Sequence, residues 1–359
     1  MNALHLELTT LADDDRPVFV SGNFCDWIPD HGDFRMQKKG PGRYFLQFPA
    51  ELLAAGEPPV YKYTRGSWDS VELGPAGERT PNRELPRQAG TRQDLVPHWR
   101  WFGRPFNPEL LPKIEMVDEA FALPQLKTTR RVQVLLPYDY EASDKRYPVL
   151  YLHDAQNLFG EGSPFGNWDI DQKLAILAHR GHHAVIIVAI DHGEEARIAE
   201  YSPYKTRQFD GLGRPYVDFI VQTLKPHIDA GYRTLTGREQ TGLGGSSMGG
   251  LITTYAGFWY PEVFGRLMVF SPSYWAAHRV YAEAARYFVP GPTRLYLYGG
   301  KMESAYLVPN LKRLQESLWQ RGPERVRPEI KLEVDAQGEH NEARWSLEFP
   351  KAVEWLFFH

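Results

Sequence analysis

A short glycine-dense segment constrains the fold of this chain more than any other feature. Residues 238–258 read REQTGLGGSSMGGLITTYAGF, a strand-like run that passes through glycines and serines directly into a helix-like run. Gly245 and Gly249 stand two positions before and two positions after Ser247, and small residues at these offsets let a strand and a helix approach closely around a strained serine. Ser246 does not have glycines at both of these positions, because Met248 stands two positions after it. The spacing predicts a sharp strand-to-helix turn with Ser247 at its apex.

A serine in such a turn is suited to nucleophilic attack. At the head of the following helix, Ser247 meets the positive end of the helix dipole, and the backbone N–H of Met248 points toward a developing oxyanion. The alternative is a glycine-rich phosphate loop, but no Walker lysine follows the glycines. We therefore predict Ser247 as the nucleophile of an acyl transfer and Met248 N–H as one oxyanion donor.

The chain around this turn alternates between strands and helices. Apolar runs rich in Val, Ile, Leu or Tyr predict the strands, and helical stretches separate several of them. The predicted strands are VQVLLP, YPVLYLHD, HAVIIVAID, REQTGLGGS, GRLMVFSPS, TRLYLYGG and EIKLEVD. This alternation predicts a mostly parallel sheet covered by helices on both faces, with its chemistry at the carboxyl ends of the strands.

The earlier part of the chain has a different pattern. RPVFVSGNF, RYFLQF and VYKYTRGSW are short β segments separated by turns such as GPG, and they predict a small β-sandwich. We place the boundary in GRPFNPELLP, so that residues 1–104 form an all-β domain and residues 105–359 form an α/β domain.

The strand-to-helix turn at Ser247 resembles the nucleophile elbow of α/β-hydrolases, in which the acid and then the histidine follow the serine along the chain. This resemblance implies that the base lies late in the sequence. Of the histidines after Ser247, His278 comes one strand too early and His359 is the last residue. His340 follows EIKLEVD in the loop before the last helix, where an imidazole could reach over the sheet. We predict His340 as the general base.

The orienting acid is expected at the end of the preceding strand. LYLYGGKMES supplies Glu303 just after a two-glycine turn, where a carboxylate could accept the Nδ1–H of the base. Asp335 and Glu339 are alternatives, but each lies on the strand end or loop of His340 itself, with poor room to orient the ring. A surface salt bridge is the non-catalytic alternative for Glu303.

Two further features would complete the site. A second oxyanion donor is expected from the loop of YPVLYLHDAQNLF, where the N–H of Ala155 or of Gln156 qualifies equally. Tyr274 and Trp275 follow the strand after the elbow helix and would form an aromatic wall for substrate or, equally, pack in the core.

Composition excludes several other functions. The formal net charge is -4, so no overall basic field recruits nucleic acid. No apolar run approaches the roughly 18 to 20 residues of a membrane span, and the start MNALHLELTTLADDD does not resemble a secretion signal. The single cysteine, Cys25, rules out an intramolecular disulfide and a multi-thiolate metal site. We expect a cytoplasmic protein that uses no metal and no cofactor.

The region from about residue 115 to the end resembles the esterase family of α/β-hydrolases that includes enterochelin esterase and feruloyl esterase modules. The resemblance rests on YPVLYLHDAQNLF, ARIAEYSPY, GGSSMGG, FSPSYWA, GGKMES and GEHNEARW, in the family's order. It implies an α/β-hydrolase fold with Ser247 as nucleophile, His340 as base and Glu303 as acid. Arg197, Glu200 and Tyr201, in the second motif, belong to the family's pattern near the site but could equally be a buried ion pair that holds a loop.

The first domain is similar to early-set β-sandwich modules that bind starch and glycogen. VFVSGNFCDW and YKYTRGSW carry this resemblance. It implies that Trp27, Lys62 and Trp68 stack on and hydrogen-bond a glucan. The alternative is that both tryptophans pack the sandwich or its interface with the other domain.

These observations predict a serine carboxylic ester hydrolase acting on an aryl, sugar-linked or siderophore-type ester. An acyltransferase with the same triad and a non-catalytic carbohydrate-binding protein are the alternatives. The expected partners are a small-molecule ester and, through the first domain, a carbohydrate, with no nucleic acid and no membrane. Exposed aromatic side chains of the first domain could also mediate a homodimer.

Overall fold

The chain is described here by a computed structural model that covers residues 4–14, 16–49, 52, 58–86, 90–181, 184–320 and 327–359. It divides into two compact units. Unit 1 comprises Met1–Leu111 and Gln172–His182, and unit 2 comprises Pro112–Asp171 and His183–His359. The first break lies inside GRPFNPELLP, a few residues after the predicted boundary, whereas the return of Gln172–His182 to unit 1 was not predicted.

Unit 1 is built mainly from short strands. Their bounds are β1 Leu4–Thr10, β2 Phe19–Gly22, β3 Gln37–Gly40, β4 Arg43–Phe48, β5 Val60–Thr64, β6 Glu72–Leu73, β7 Arg83–Glu84, β8 Gly90–Val96 and β9 His98–Trp99. They pair in the orders β3-β4-β1-β8, β2-β5-β7 and β6-β9. Alternation along β1 buries Leu4, Leu6 and Leu8 on one face, as expected for a strand with one face on a core. Helix α1, Ile170–His179, lies mostly in the segment that returns to this unit.

Unit 2 contains one large sheet. Its strands are β10 Lys113–Leu123, β11 Thr128–Leu136, β12 Val149–His153, β13 Ile186–Ile190, β14 Thr241–Ser246, β15 Arg266–Phe270, β16 Arg294–Gly300 and β17 Glu329–Asp335. Their order is β10-β11-β13-β12-β14-β15-β16-β17, antiparallel at the β10 and β11 edge and parallel elsewhere. The predicted mostly parallel sheet is confirmed, and β11 to β17 correspond to the seven predicted strands.

Helices cover both faces of this sheet. They are α2 Arg197–Glu200, α3 Gly213–Phe219, α4 Lys225–Gly231, α5 Met248–Trp259, α6 Val280–Ala284, α7 Leu307–Trp319 and α8 Glu342–Phe357, and a π-helical turn, Ile220–Leu224, joins α3 to α4. Two glycines on β14 show which helix lies on each face. A Cβ on Gly242 would meet Phe357 of α8, and one on Gly245 would meet Gly249 of α5. Because residues at odd spacing point to opposite faces of a strand, α5 and α8 lie on opposite sides of the sheet. The α/β-hydrolase expectation for this unit is therefore confirmed.

None of the described helices is long and apolar enough to cross a membrane.

Candidate active site

The structure places Ser247 at the turn that joins β14 to α5. Its φ is 56° and its ψ is -118°, a conformation that costs a non-glycine residue about 1 to 3 kcal/mol and persists only where its surroundings enforce it. Three backbone hydrogen bonds do so. Ser247 N–H donates to the Phe270 carbonyl at 2.9 Å, and the Ser247 carbonyl accepts from Ser273 N–H at 3.0 Å and from Leu251 N–H at 3.1 Å. A Cβ on Gly245 would lie 3.2 Å from the carbonyl carbon of Gly249, so the predicted close approach of strand and helix is present.

The Ser247 hydroxyl is hydrogen-bonded to a second serine. Oγ of Ser247 lies 3.2 Å from Oγ of Ser273, and either oxygen can donate. Ser273 is only 4% exposed, so its hydroxyl has a fixed environment. Within the described part of the chain, no hydrogen bond joins Ser247 directly to His340. Sequence reasoning did not assign Ser273 a role, although the FSPSYWA motif contains it.

His340 and Glu303 form a close pair. Glu303 follows β16 and His340 lies between β17 and α8, and their Nδ1 and Oε2 atoms are 2.6 Å apart. The Glu303 side chain is 3% exposed, whereas that of His340 is 44% exposed. A buried acid that binds Nδ1 leaves Nε2 as the ring nitrogen that can exchange protons with a nucleophile.

The two competing acids have other partners. Asp335 accepts a hydrogen bond from the Tyr298 hydroxyl at 3.1 Å and lies 3.6 Å from the Arg344 guanidinium. Glu339 accepts from the side-chain amide of Asn341 at 3.1 Å. Neither contacts the imidazole through a described hydrogen bond, so the geometry favours Glu303.

Two residues outside the predicted set fix the position of Glu303. The Ser271 hydroxyl donates to Oε1 of Glu303 at 2.7 Å, as does the backbone N–H of Gly300 at the same distance. The indole N–H of Trp345, on α8, donates to Ser271 Oγ at 2.9 Å. The Trp345 ring also meets the His340 ring edge to face, with centroids 5.0 Å apart. His340 thus contacts α8 directly, and Glu303 is linked to α8 through Ser271.

The predicted oxyanion donors are backbone amides at the starts of two helical turns. Met248 is the first residue of α5, so its N–H has no preceding helical turn to which it could donate. Ala155 and Gln156 begin a short 3-10 turn after β12, and among the described residues neither N–H donates to a backbone carbonyl. The Gln156 side chain is engaged, because it accepts from His192 N–H at 3.0 Å.

A buried ion pair anchors the start of that 3-10 turn. Arg197 donates to both carboxylate oxygens of Asp154, at 2.6 and 2.9 Å, and the Asp154 backbone is in the left-handed region at φ 61°. Burial alone would raise the pKa of Asp154, but the guanidinium beside it holds that pKa below its usual range. Arg197 therefore holds the loop through Asp154. A second ion pair joins Glu200, at the end of α2, to Arg130 on β11.

His153 lies directly beneath the elbow. Its Cδ2 atom is 3.0 Å from the position of a Cβ on Gly245, and its Nδ1 atom lies 2.9 Å from the Tyr216 hydroxyl. Burial lowers the pKa of this imidazole to about 4, so it is neutral at physiological pH. A neutral buried histidine in this position supports the elbow by packing, and it is distinct from the exposed His340.

The two predicted wall residues differ in exposure. Tyr274 is 1% exposed, and its hydroxyl lies 2.9 Å from that of Thr254 on α5. This burial favours the core-packing alternative for Tyr274, because the 3-10 turn that begins at this residue directs the ring into the core. Trp275 is 60% exposed and meets the Phe209 ring with centroids 6.3 Å apart. Trp275 can therefore contact a ligand.

Unit 1 contains a separate open cavity. It has a volume of about 710 Å³, and Trp27, Lys62 and Trp68 all line it. The two indoles lie with centroids 6.1 Å apart and planes inclined at 46°. The Lys62 ammonium donates to the Thr80 carbonyl at 2.6 Å, to the Thr80 hydroxyl at 2.8 Å and to the Pro81 carbonyl at 3.1 Å. An ammonium has three donors, so Lys62 supports the cavity wall and has no donor left for a ligand.

The described residues contain no group of three or more His, Cys, Asp or Glu side chains arranged to hold a metal ion.

Comparison with known proteins gives the relatives of this chain. Over 245 residues it is 24% identical to the uncharacterized protein YbbA of Bacillus subtilis, which covers 64% of this chain and 92% of that protein. Over 169 residues it is 27% identical to the iron(III) enterobactin esterase of Escherichia coli, covering 47% of this chain and 38% of that protein. A crystal structure of the enterobactin esterase of Shigella flexneri superimposes with a TM-score of 0.56 at 19% identity, covering 96% of this chain and 92% of that chain.

The family comparison covers most of unit 2. Residues 124–356 match the model of the family described as putative esterases. This range contains the elbow, the segment Ser271–Ser273, Glu303 and His340. The chain therefore belongs to the putative esterase family and is a carboxylic ester hydrolase.

Proposed function

We propose that this hydrolase cleaves its ester through an acyl-serine intermediate, with Ser247 as nucleophile, His340 as general base and Glu303 as orienting acid. The observation that carries the proposal is the segment Ser271–Ser273. Its first serine hydrogen-bonds Glu303 and its last serine hydrogen-bonds Ser247. One tripeptide thus contacts both the candidate nucleophile and the acid that holds the candidate base.

The proposed reaction has two halves. Ser247 Oγ exchanges its hydrogen bond with Ser273 for one with Nε2 of His340, gives up its proton to that nitrogen and attacks the ester carbonyl carbon. The tetrahedral intermediate breaks its bond to the alkoxy oxygen, and His340 returns the proton to the departing alcohol. Water then attacks the acyl-serine in the same way, giving the free acid and restoring the Ser247 hydroxyl.

Charge on the intermediate is met by backbone amides. The N–H of Met248 is one donor, and the N–H of Ala155 or of Gln156 is the second. Both donor sites are first-turn amides of helical segments, where the N–H groups lack internal partners. Loss of one such donor costs on the order of 100-fold or more in rate.

We place the substrate among aryl, sugar-linked and siderophore-type esters. The exposed indole of Trp275 beside Phe209 offers an aromatic surface for a ring-bearing acyl group. The relatives named as enterobactin esterases support the siderophore-type member of this set. A panel of p-nitrophenyl esters graded from acetate to aromatic acyl groups, assayed with wild type and Trp275→Ala, tests this choice. We expect the variant to lose its preference for aromatic acyl groups and to keep its acetate turnover.

The test of the mechanism is Ser247→Ala. We expect hydrolysis of p-nitrophenyl acetate to fall by at least about 10⁴-fold, since the nucleophile is removed, and labelling by a fluorophosphonate probe to disappear. The thermal melting curve should stay close to that of wild type, because the variant removes only an oxygen.

Ser246→Ala is the matched control. This neighbouring serine ends β14 and is 7% exposed, so the substitution is chemically identical at a position one residue away. It should keep both probe labelling and turnover within a few-fold. Wild-type turnover by Ser247→Ala, or loss of labelling in Ser246→Ala alone, would refute the assignment.

A second function is proposed for unit 1, where two tryptophans share one open cavity. Indole faces suit the apolar C–H faces of sugar rings, so we propose that the cavity binds a carbohydrate. Retention of the full chain on immobilised amylose or another polysaccharide, and its loss in Trp27→Ala, tests this proposal. Esterase activity in the same variant should be unchanged.

A further inference from the structure

The cavity of unit 1 carries more positive charge than a neutral ligand requires. Besides the two tryptophans, its lining includes Arg79 and Arg100. The carboxylate that also lines it, Glu72, is 1% exposed and is bound by Arg83 at 2.7 and 2.9 Å. Glu72 is thus already neutralised by a partner, and it leaves the two lining guanidiniums without a matching anion inside the cavity.

Arg79 has no ion pair among the described residues. Its side chain is exposed and makes no described hydrogen bond, and its backbone is fixed by a β-bridge to Leu73. The guanidinium therefore keeps all five N–H donors for a ligand or water.

Arg100 is only partly engaged. Its Nε donates to the carbonyl of Gly103, another residue of the lining, at 2.9 Å. The nearest carboxylate is that of Asp69, which is 3.9 Å from Nη1 and 71% exposed, too solvated to form a strong pair. The terminal nitrogens of Arg100 therefore keep N–H donors for a ligand. The planar guanidinium can bind both oxygens of a carboxylate, which a neutral hydroxyl cannot offer.

The aromatic part of the cavity is held rigidly. Asp26 and Trp27 have φ values of 52° and 57°, and consecutive non-glycine residues in this region are rare and energetically costly. The turn holds the Trp27 ring at 46° to the Trp68 ring. Each indole can therefore stack on a different sugar ring of one bent ligand. The volume of about 710 Å³ lies in the range of small-ligand sites.

We propose that this cavity binds an acidic oligosaccharide, in which sugar rings stack on Trp27 and Trp68 and a ring carboxylate of the uronate type pairs with Arg79 and Arg100. The proposal rests on the carbohydrate function proposed above for unit 1, and it names the chemical class of that carbohydrate. Lys62 plays no direct part, because its three donors are consumed by the wall.

The experiment compares a galacturonate trimer with the galactose trimer of the same linkage, by titration calorimetry on the full chain. We expect the acidic trimer to bind at least about tenfold more tightly, and each of Arg79→Gln and Arg100→Gln to weaken it by about tenfold, the usual scale for a charge-assisted hydrogen bond. Added salt should weaken binding of the acidic trimer only. Trp27→Ala should abolish binding of both trimers.

Arg35→Gln is the matched control, since Arg35 is an exposed arginine of the same unit that does not line the cavity. It should bind both trimers as wild type does. Equal affinity for the two trimers would overturn the acidic-sugar proposal and leave the carbohydrate function standing. Binding of neither trimer would overturn the acidic-sugar proposal, and the absence of polysaccharide retention as well would overturn both. Undiminished binding of the acidic trimer by the double variant of Arg79 and Arg100 would also overturn it. Ester hydrolysis, measured in parallel, should be unaffected in every variant.

Discussion

Ser271 fixes the direction of a hydrogen-bonded chain that ends on the candidate base. The indole N–H of Trp345 can only donate, so the Ser271 hydroxyl must accept from it and use its single hydrogen toward Glu303. The carboxylate of Glu303 then accepts from three groups, which are this hydroxyl, Gly300 N–H and Nδ1–H of His340. A carboxylate with all these partners has one orientation, and it transmits that orientation to the imidazole.

We predict that Ser271→Ala lowers kcat on p-nitrophenyl acetate by about tenfold with little change in KM, because a positioning residue that does not touch substrate affects the chemical step. Trp345→Phe should cost less, about threefold, since the Ser271 hydroxyl can still donate to Glu303. Steady-state kinetics of both variants check this order. A larger effect of Trp345→Phe, or an unchanged kcat in Ser271→Ala, would contradict the proposed chain.

At the scale of elements, the end of β16 and the turn before His340 approach each other closely at two glycines, Gly300 and Gly338. A Cβ added to Gly300 would lie 2.1 Å from the carbonyl oxygen of Gly338, a distance that no real contact allows. Gly300 leads to Glu303 and Gly338 leads to His340, so this backbone contact sets how far apart the proposed acid and the proposed base can lie. Because neither glycine has a side chain, the two turns can approach closely enough for Glu303 to pair with His340.

Gly300→Ala should therefore separate the two turns. We predict a loss of at least about tenfold in kcat and a destabilisation of about 2 kcal/mol, the scale of an overpacked buried site. Gly231→Ala is the matched control, because a Cβ there meets nothing within 4 Å. Thermal melting and kinetics on the two variants measure the difference. Equal behaviour of the two would show that the turns can move apart at no cost.

Sequence patterns predicted those elements whose signals are local. The elbow is contained in one short segment, and β11 to β17 are apolar runs bounded by turn residues. Strand β10 was not singled out, because it forms an exposed sheet edge with few buried residues.

The contacts that position the candidate site could not be predicted in the same way. Ser271 and Trp345 are 74 positions apart, and no local pattern indicates a contact over that separation. Tyr274 and Trp275 are adjacent aromatics, and only the 3-10 turn decides which of them faces outward.

At the scale of the whole molecule, the two units are interleaved along the chain. Gln172–His182 belongs to unit 1 although unit 2 precedes and follows it in sequence. Lys173 donates to the Ala76 carbonyl at 2.9 Å, and the Ile176 side chain lies against Gly77, where a Cβ would be 2.6 Å from its Cδ1 atom. Lys173 and Ile176 belong to α1. A single cut after Leu111 would therefore separate α1 from the residues of unit 1 that it contacts.

We predict that a fragment of residues 112–359 melts at least about 5 °C below the full chain. Removal of residues 1–111 exposes Ile176, which is 1% exposed in the intact chain, and uncovering such a side chain costs about 1.5 to 3 kcal/mol. The control is the full chain with a protease site inserted after Leu111 and then cleaved, which carries the same break but loses no residue. Its two pieces should remain together on size-exclusion chromatography, because each holds part of unit 1, and its melting temperature should stay near that of the uncut chain. A fragment that melts with the full chain would mean that α1 needs no support from the strands of unit 1.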